Sequence, residues 1–147
     1  MNAEDNKTGT FSDFEKEAMR NRAKELKEEA KASKNREVGE KMIIDAISTM
    51  IPSDKAMAQK IHEIVSKAAP QLMPKTWYGM PAYADKDGKA VVFFQPADKF
   101  KARYSTLGFN DSAKLDEGNM WPAAYALTKL TPEEEKKIIE LVKKAVS

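Results

Sequence analysis

No cysteine occurs among the 147 residues. Disulfides, thiolate metal sites and a cysteine nucleophile are therefore excluded together. Histidine is nearly as scarce: His62 is the single one, set about 100° round from Ile61 and so on the flank of the apolar stripe of its helix. With no second ligand at metal-binding spacing, it reads as a rim residue. Charge of one sign is not in excess either, since 25 Lys and Arg against 23 Asp and Glu leave a net charge of +2. No strong field calls for a nucleic acid or a membrane, and neither is the expected partner. The longest apolar run, Ala90 to Phe94, is only five residues, far short of a membrane span. The opening MNAEDNKTGT lacks the apolar core of a secretory signal, so the expected location is cytoplasmic. Also missing are G-x-S-x-G, H-E-x-x-H and a phosphate-binding glycine pattern, which leaves no familiar enzyme class in view.

What the chain does have is a concentration of rings. Ten of its twelve aromatic residues lie between Trp77 and Tyr125, and large amphipathic rings serve equally in a packed sheet or in the wall of a pocket. The chain length suits one domain that buries roughly 70% of its unfolded surface. The organisation read from the sequence is a polar tail at 1–11 followed by a single domain at 12–147. Within it come a charged helix at 12–33, a helical pair at 37–69, an aromatic-rich sheet at 74–127 and a C-terminal helix at 131–147.

Ser12 and Glu15 form a capping box that starts the first helix at Asp13. Its large apolar residues are only Phe14, Met19 and Leu26, a stripe too thin for more than light packing. Opposite charges three apart (Asp13/Lys16, Glu17/Arg20 and Glu28/Lys31) add a few tenths of a kcal/mol each. A second helix carries Ile43, Ile47 and Met50 at core spacing and stops at Pro52. Ser53 is the expected cap of a third, with Met57, Ile61, Ile64, Val65 and Ala68 inward and Pro70 at its end.

From Pro74 the period changes to that of strands. Lys75 to Tyr78 reads as a short strand, Gly79 and Pro81 as a break, and Ala82 to Ala84 as a resumption. Asp85-Lys86-Asp87-Gly88 is a hairpin turn, because Asp-Gly tolerates the positive φ required; a calcium loop would need oxygen ligands where Tyr83 and Phe94 stand. Lys89 to Gln95 is apolar on both faces and reads as a central strand. Phe100 to Tyr104 alternates, with Lys99, Lys101 and Arg103 in a basic row opposite Phe100, Ala102 and Tyr104. A cap at Asp111 and a glycine stop at Gly118 suit a short connecting turn. Ala123 to Leu127 is the last strand, and Thr131-Pro132-Glu133-Glu134 opens a helix with Ile138, Leu141, Val142 and Ala145 inward. The expected fold is α+β, with about four antiparallel strands packed by helices from both ends of the chain.

Two sets of site residues follow. A concavity on the sheet would be lined by Tyr78, Gly79, Met80, Pro81, Phe94, Tyr104 and Trp121, with Lys101 or Arg103 at its rim, and would take a small anionic or aromatic ligand. Asp111, Asp116 and Glu117 are the densest carboxylates near the rings and offer hard oxygen ligands to a metal ion, though no spacing rule assembles them. The reading is a non-enzymatic binding module, with a protein-interaction domain or homodimer built on the first helix as the blander alternative.

The run Pro74-Lys75-Thr76-Trp77-Tyr78-Gly79-Met80-Pro81-Ala82-Tyr83 also carries a family resemblance. Together with Phe93-Phe94, Lys99-Phe100-Lys101, Arg103-Tyr104, Leu107-Gly108-Phe109, Leu115-Asp116-Glu117-Gly118 and Met120-Trp121-Pro122, it resembles the YdhG-like family of small bacterial proteins. The likeness covers nearly the whole chain. It implies helices packed on a small antiparallel sheet, and, from one branch of the family, a frataxin-like intracellular iron chaperone that would use exposed carboxylates.

Overall fold

The computed structural model describes residues 12–147; the polar tail expected at 1–11 lies outside them. Three helices come first, α1 (Asp13–Ala32), α2 (Arg36–Ser48) and α3 (Pro52–Ala68). Five strands follow, β1 (Met73–Trp77), β2 (Met80–Ala84), β3 (Ala90–Gln95), β4 (Ser105–Phe109) and β5 (Ala124–Leu127), and α4 (Pro132–Ala145) closes the fold. The fold is α+β. The sheet is an antiparallel meander in the order β1-β2-β3-β4-β5, one strand more than the four expected, with β3 central as its two-sided apolar pattern required.

Local chemistry sets the helix ends. The Ser12 hydroxyl accepts the Glu15 N–H at 3.1 Å while the Glu15 carboxylate accepts the Ser12 N–H at 3.0 Å, the reciprocal pair that starts α1. The start of α3 differs from expectation. Pro52 does not merely stop the preceding helix but occupies the first turn of α3, with Ile51 at the cap position and no side-chain cap. Proline has no N–H to leave unpaired there, so Ser53 is inside the helix and does not cap it. Thr131 and Glu134 start α4 as read: the Glu134 carboxylate accepts the Thr131 N–H at 2.7 Å and its hydroxyl at 2.6 Å.

One face of the sheet carries Tyr83, Val92, Phe94, Leu107 and Leu127, which pack with Ile43 and Ile47 of α2, Ile61 and Val65 of α3, and Ile138 and Val142 of α4. On the other face, register aligns Lys75, Ala82, Phe93 and Gly108 across four strands. The Phe93 ring lies over Gly108, where a Cβ would stand 2.2 Å from a ring carbon, and it meets Trp77 at 5.3 Å between centroids. Rings laid across small residues thus cover the face that no helix core covers.

Three further expectations are corrected. The chain breaks at Gly79 as expected but not at Pro81: Tyr78, expected as the last strand residue, and Gly79, with φ of 50° and 77°, form a two-residue hairpin turn between paired Trp77 and Met80, and Pro81 lies inside β2. Positive φ at both positions is the type I′ signature, which matches strand twist. Phe100 to Tyr104 is not a strand, so no alternating face or basic row exists there. The chain after Pro96 curls, with Lys101 N–H on Asp98 C=O at 3.1 Å and Ala102 N–H on Ala97 C=O at 2.9 Å. Buried Asp54 holds the curl, accepting the Asp98 N–H at 3.0 Å and the Ser105 hydroxyl at 3.4 Å. The next strand, β4, begins only at Ser105 and runs to Phe109.

The third correction concerns α1. Its apolar residues face water, with Phe14 82%, Met19 47% and Leu26 51% exposed, while Arg22, Glu25, Glu29 and Ala32 turn inward. Of the three expected ion pairs, Glu28–Lys31 forms, at 3.4 Å; Asp13/Lys16 and Glu17/Arg20 do not pair among the described residues.

Two outcomes test these contacts. Gly39 of α2 rests on β1 so closely that a Cβ would stand 1.9 Å from the Pro74 carbonyl oxygen. Gly39→Ala should therefore lower stability in urea unfolding by about 2 kcal/mol or more, although alanine is the better helix former by about 1 kcal/mol; an unchanged midpoint would refute the close approach. The Thr131 hydroxyl and backbone N–H hold the Glu134 carboxyl below the ordinary carboxylate range. Its folded-state value being the lower one, its contribution is complete above the ordinary carboxylate value and is lost as pH falls through the folded one. Acid titration of helicity should show that loss, and Glu134→Gln should remove it.

Candidate functional site

Among the described residues the most prominent of four cavities, about 610 Å³, is an open groove between α1 and the C-terminal half of α2, floored by the β1–β2 turn. Its walls include Ala18 and Lys24 of α1 and Met42 and Ala46 of α2, with Tyr78, Gly79 and Lys99 at the floor. The size falls within the range of small-ligand sites.

A charge network fixes α1 in place. Lys75, 7% exposed on β1, donates to Glu29 at 2.6 Å and to the Gly88 carbonyl of the β2–β3 turn at 3.0 Å. Arg22 bridges Glu29 and Glu25, reaching Glu25 at 2.7 Å. Glu25 in turn accepts the Gly79 N–H at 2.7 Å. Every strong polar group of the set has a partner, which is what makes burial of these charges tolerable. Burial opposes the Arg22 charge, but the hydrogen bonds and attraction of Glu25 and Glu29 outweigh it, and the guanidinium is held above its ordinary value.

The same contacts present Tyr78. The Arg22 guanidinium carbon lies 3.9 Å from the centroid of its ring, Trp77 meets it edge-on at 5.1 Å, and the side chain is still 57% exposed. A tyrosine at positive φ is uncommon and costs of order 1 kcal/mol where Asn or Gly would cost little. The ring is thus held at the groove floor against its backbone preference. Lys99 stands close by, its ammonium 3.9 Å from the position a Cβ on Gly79 would take. Among the described residues neither Lys24 nor Lys99 makes an ion pair. The acids of the groove, by contrast, are engaged: Glu25 with Arg22, Glu28 with Lys31 at 3.4 Å, and Asp45 with Lys41 at 3.0 Å.

The residues singled out from sequence do not share one concavity. Tyr78 and Gly79 line the groove, whereas Arg103 and Tyr104 border a separate cleft of about 280 Å³ beside Asp54. Phe94 is fully buried and Met80 and Pro81 are buried in the sheet, so none of the three faces a ligand. Lys101 is exposed at φ of 54° on the loop before β4, and Trp121 packs half-buried on the core. Asp111, Asp116 and Glu117 are exposed on the β4–β5 connection, with Glu117 3.6 Å from Lys144. Among the described residues no three His, Cys, Asp or Glu side chains are grouped so as to hold a metal ion. The spacing read from sequence does not mark Arg22, Glu25 and Lys75 as site residues, and it places Lys99 only in the basic row with Lys101 and Arg103; the available signal is the i, i+3, i+7 spacing of Arg22, Glu25 and Glu29, a core stripe written in charged residues.

His62 has more partners than its sequence context suggested. Its Nε2 lies 2.7 Å from the Glu40 carboxylate and its Nδ1 2.9 Å from the Tyr83 hydroxyl. A carboxylate can only accept, which puts the ring proton of the neutral imidazole on Nε2 and leaves Nδ1 to accept from Tyr83. Burial, and secondarily Glu40, push the Tyr83 phenol well above its ordinary value, so the phenol stays a donor. None of the lining residues of the four cavities belongs to this chain of bonds, which ties α2, α3 and β2 together.

No described helix is long and apolar enough to cross a membrane. Compared with protein-family models, curated proteins and solved structures, the chain matches none.

The network predicts a specific sensitivity. Lys75→Met removes one partner and strands Glu29 among buried groups, so unfolding free energy should drop by ~3 kcal/mol. A loss under about 1 kcal/mol, the range of an exposed pair, would show that α1 is not held this way.

Proposed function

We propose that the protein is a non-enzymatic binding module whose ligand is a small, flat, anionic molecule seated in the groove between α1, α2 and the β1–β2 turn. The observation that carries this reading is Tyr78: an exposed ring, held at positive φ and backed by Arg22 on one face, at the floor of the groove. Local strain of this kind concentrates where a side chain must be presented to a ligand. The charge balance supports an anion, because Lys24 and Lys99 are the groove's unpaired charges while its acids are engaged. A flat ring would lie on the open side of Tyr78, and a carboxylate or phosphate would meet Lys99.

The site is displaced from the one expected on the sheet face, but the ligand class is the same. The chemistry asked of the site is recognition alone, and among the described residues no hydroxyl or ammonium lining the groove is hydrogen-bonded to one of its carboxylates. An iron-chaperone role, which the family resemblance implies, lacks a grouped set of carboxylates among the described residues to support it.

Isothermal titration with AMP, indole-3-acetate, adenosine and citrate separates the two requirements. AMP and indole-3-acetate should bind. Adenosine, which lacks the anion, and citrate, which lacks the ring, should bind at least ~10-fold more weakly. Tyr78→Ala and Lys99→Met should each weaken the aromatic anions by a similar factor while leaving the melting temperature within a few degrees. Equal affinities for all four probes, or none at millimolar concentration, would end the proposal.

A further inference from the structure

The outward face of α1 bears a second pattern. Lys16, Arg20, Lys24, Lys27 and Lys31 follow i, i+4, i+8, i+11, i+15, which places them within an arc of about 80° along roughly 22 Å of helix. All five are exposed. Lys16/Arg20, Arg20/Lys24 and Lys27/Lys31 are like charges one turn apart, an arrangement that works against the helix itself. Asp13 lies within the same arc at its N-terminal end, Glu17 and Glu28 adjoin it, and Glu28 reaches Lys31 at 3.4 Å. A solvated helix would alternate signs along this line instead of repeating one. Lys24 is also a wall residue of the groove, so the ridge runs along the groove's edge, with Lys99 and the exposed ring of Tyr78 at the groove's floor.

From this juxtaposition we propose that the protein binds single-stranded nucleic acid, the ridge following the phosphate backbone while one base enters the groove and stacks on Tyr78. A cationic track beside an exposed ring is the combination by which single strands are held without sequence readout. A membrane surface suits it less well, because the exposed apolar residues of α1 do not form one stripe beside the ridge: Met19 and Leu26 flank one side of it, and Phe14 lies about 140° round from Met19. The inference rests on the groove reading and extends it, since the base would occupy the site assigned above to a flat anion.

The test uses the full chain and a fluorescein-labelled oligothymidylate of about twelve nucleotides, followed by fluorescence anisotropy. Binding should weaken with salt, with a log–log slope of up to about −3.5 if all five cations meet phosphates. The variant Lys16→Gln/Arg20→Gln/Lys27→Gln should lose affinity ~10-fold or more at low salt and show a shallower slope. Tyr78→Ala should weaken binding at every salt concentration and keep the slope. Retained AMP binding by the triple variant, with oligonucleotide binding lost, is the supporting result, and circular dichroism verifies that α1 is still folded. No anisotropy change at ~100 µM protein and low salt, an unchanged slope in the triple variant, or binding to phosphatidylserine vesicles in place of the oligonucleotide would each overturn the inference. If AMP still bound in that case, the groove reading would survive; loss of AMP binding in the wild-type chain would remove both.

Discussion

The pairing of Lys75 with Glu29 is the contact on which the arrangement around the groove depends. Lys75 sits on β1, the edge strand, and faces the same way as Ala82 and Phe93. An unpaired ammonium there would be expensive, and Glu29 supplies the partner from a helix otherwise poor in inward apolar residues. Arg22 then neutralises Glu29 from the other side, Glu25 neutralises Arg22, and the Gly79 N–H completes Glu25. The chain of contacts runs from strand to helix and back to the hairpin turn. It places α1 beside β1, and the gap left between α1 and α2 is the groove.

Ionic docking differs from apolar docking in what it tolerates. An apolar stripe holds a helix over a broad range of registers, whereas Lys75, Glu29, Arg22 and Glu25 fit only one pairing, so the register of α1 is fixed more sharply than its docking energy would require. The apolar residues released from packing, Phe14, Met19 and Leu26, are left on the surface. On the opposite side of the molecule the core of α2, α3, α4 and the sheet is conventional, with Ile43, Ile61, Phe94, Leu107 and Val142 almost fully buried. One half of the fold is held by hydrophobic burial and the groove half by charge.

Much of that first half was legible in the sequence because it rests on period. The stripes of α2, α3 and α4, the doubly apolar β3 and the Asp85–Gly88 turn each follow from spacing alone. The failures share a cause: at each, a distant partner overrides a local pattern. Five alternating residues at Phe100–Tyr104 imitate a strand, but Asp54, some forty residues earlier in the chain, anchors the backbone as a curl. Tyr78-Gly79 lacks the usual Asn-Gly or Asp-Gly of a type I′ turn, so the hairpin was hidden; Glu25 and Arg22 hold it from α1. The stripe of α1 was read for apolar residues, and the inward ones are charged. The cationic ridge is not legible in the linear sequence because acids interleave with it; projection onto a helix whose inner face is known separates it from every neighbouring acid but Asp13.

Tyr78 belongs to both halves of this account. Its backbone closes the β1–β2 hairpin, its ring receives Arg22, and its remaining surface opens to the groove. Asparagine or glycine would close the turn with less strain, so the turn by itself does not explain a tyrosine. Packing does not explain it either, because the residue is more than half exposed. Arg22 could pair with Glu25 and Glu29 without any ring beneath it. What the tyrosine adds, once turn, packing and charge pairing are each satisfied by other means, is an exposed aromatic ring at the lining of the groove, and the proposed recognition of a flat partner rests on that ring.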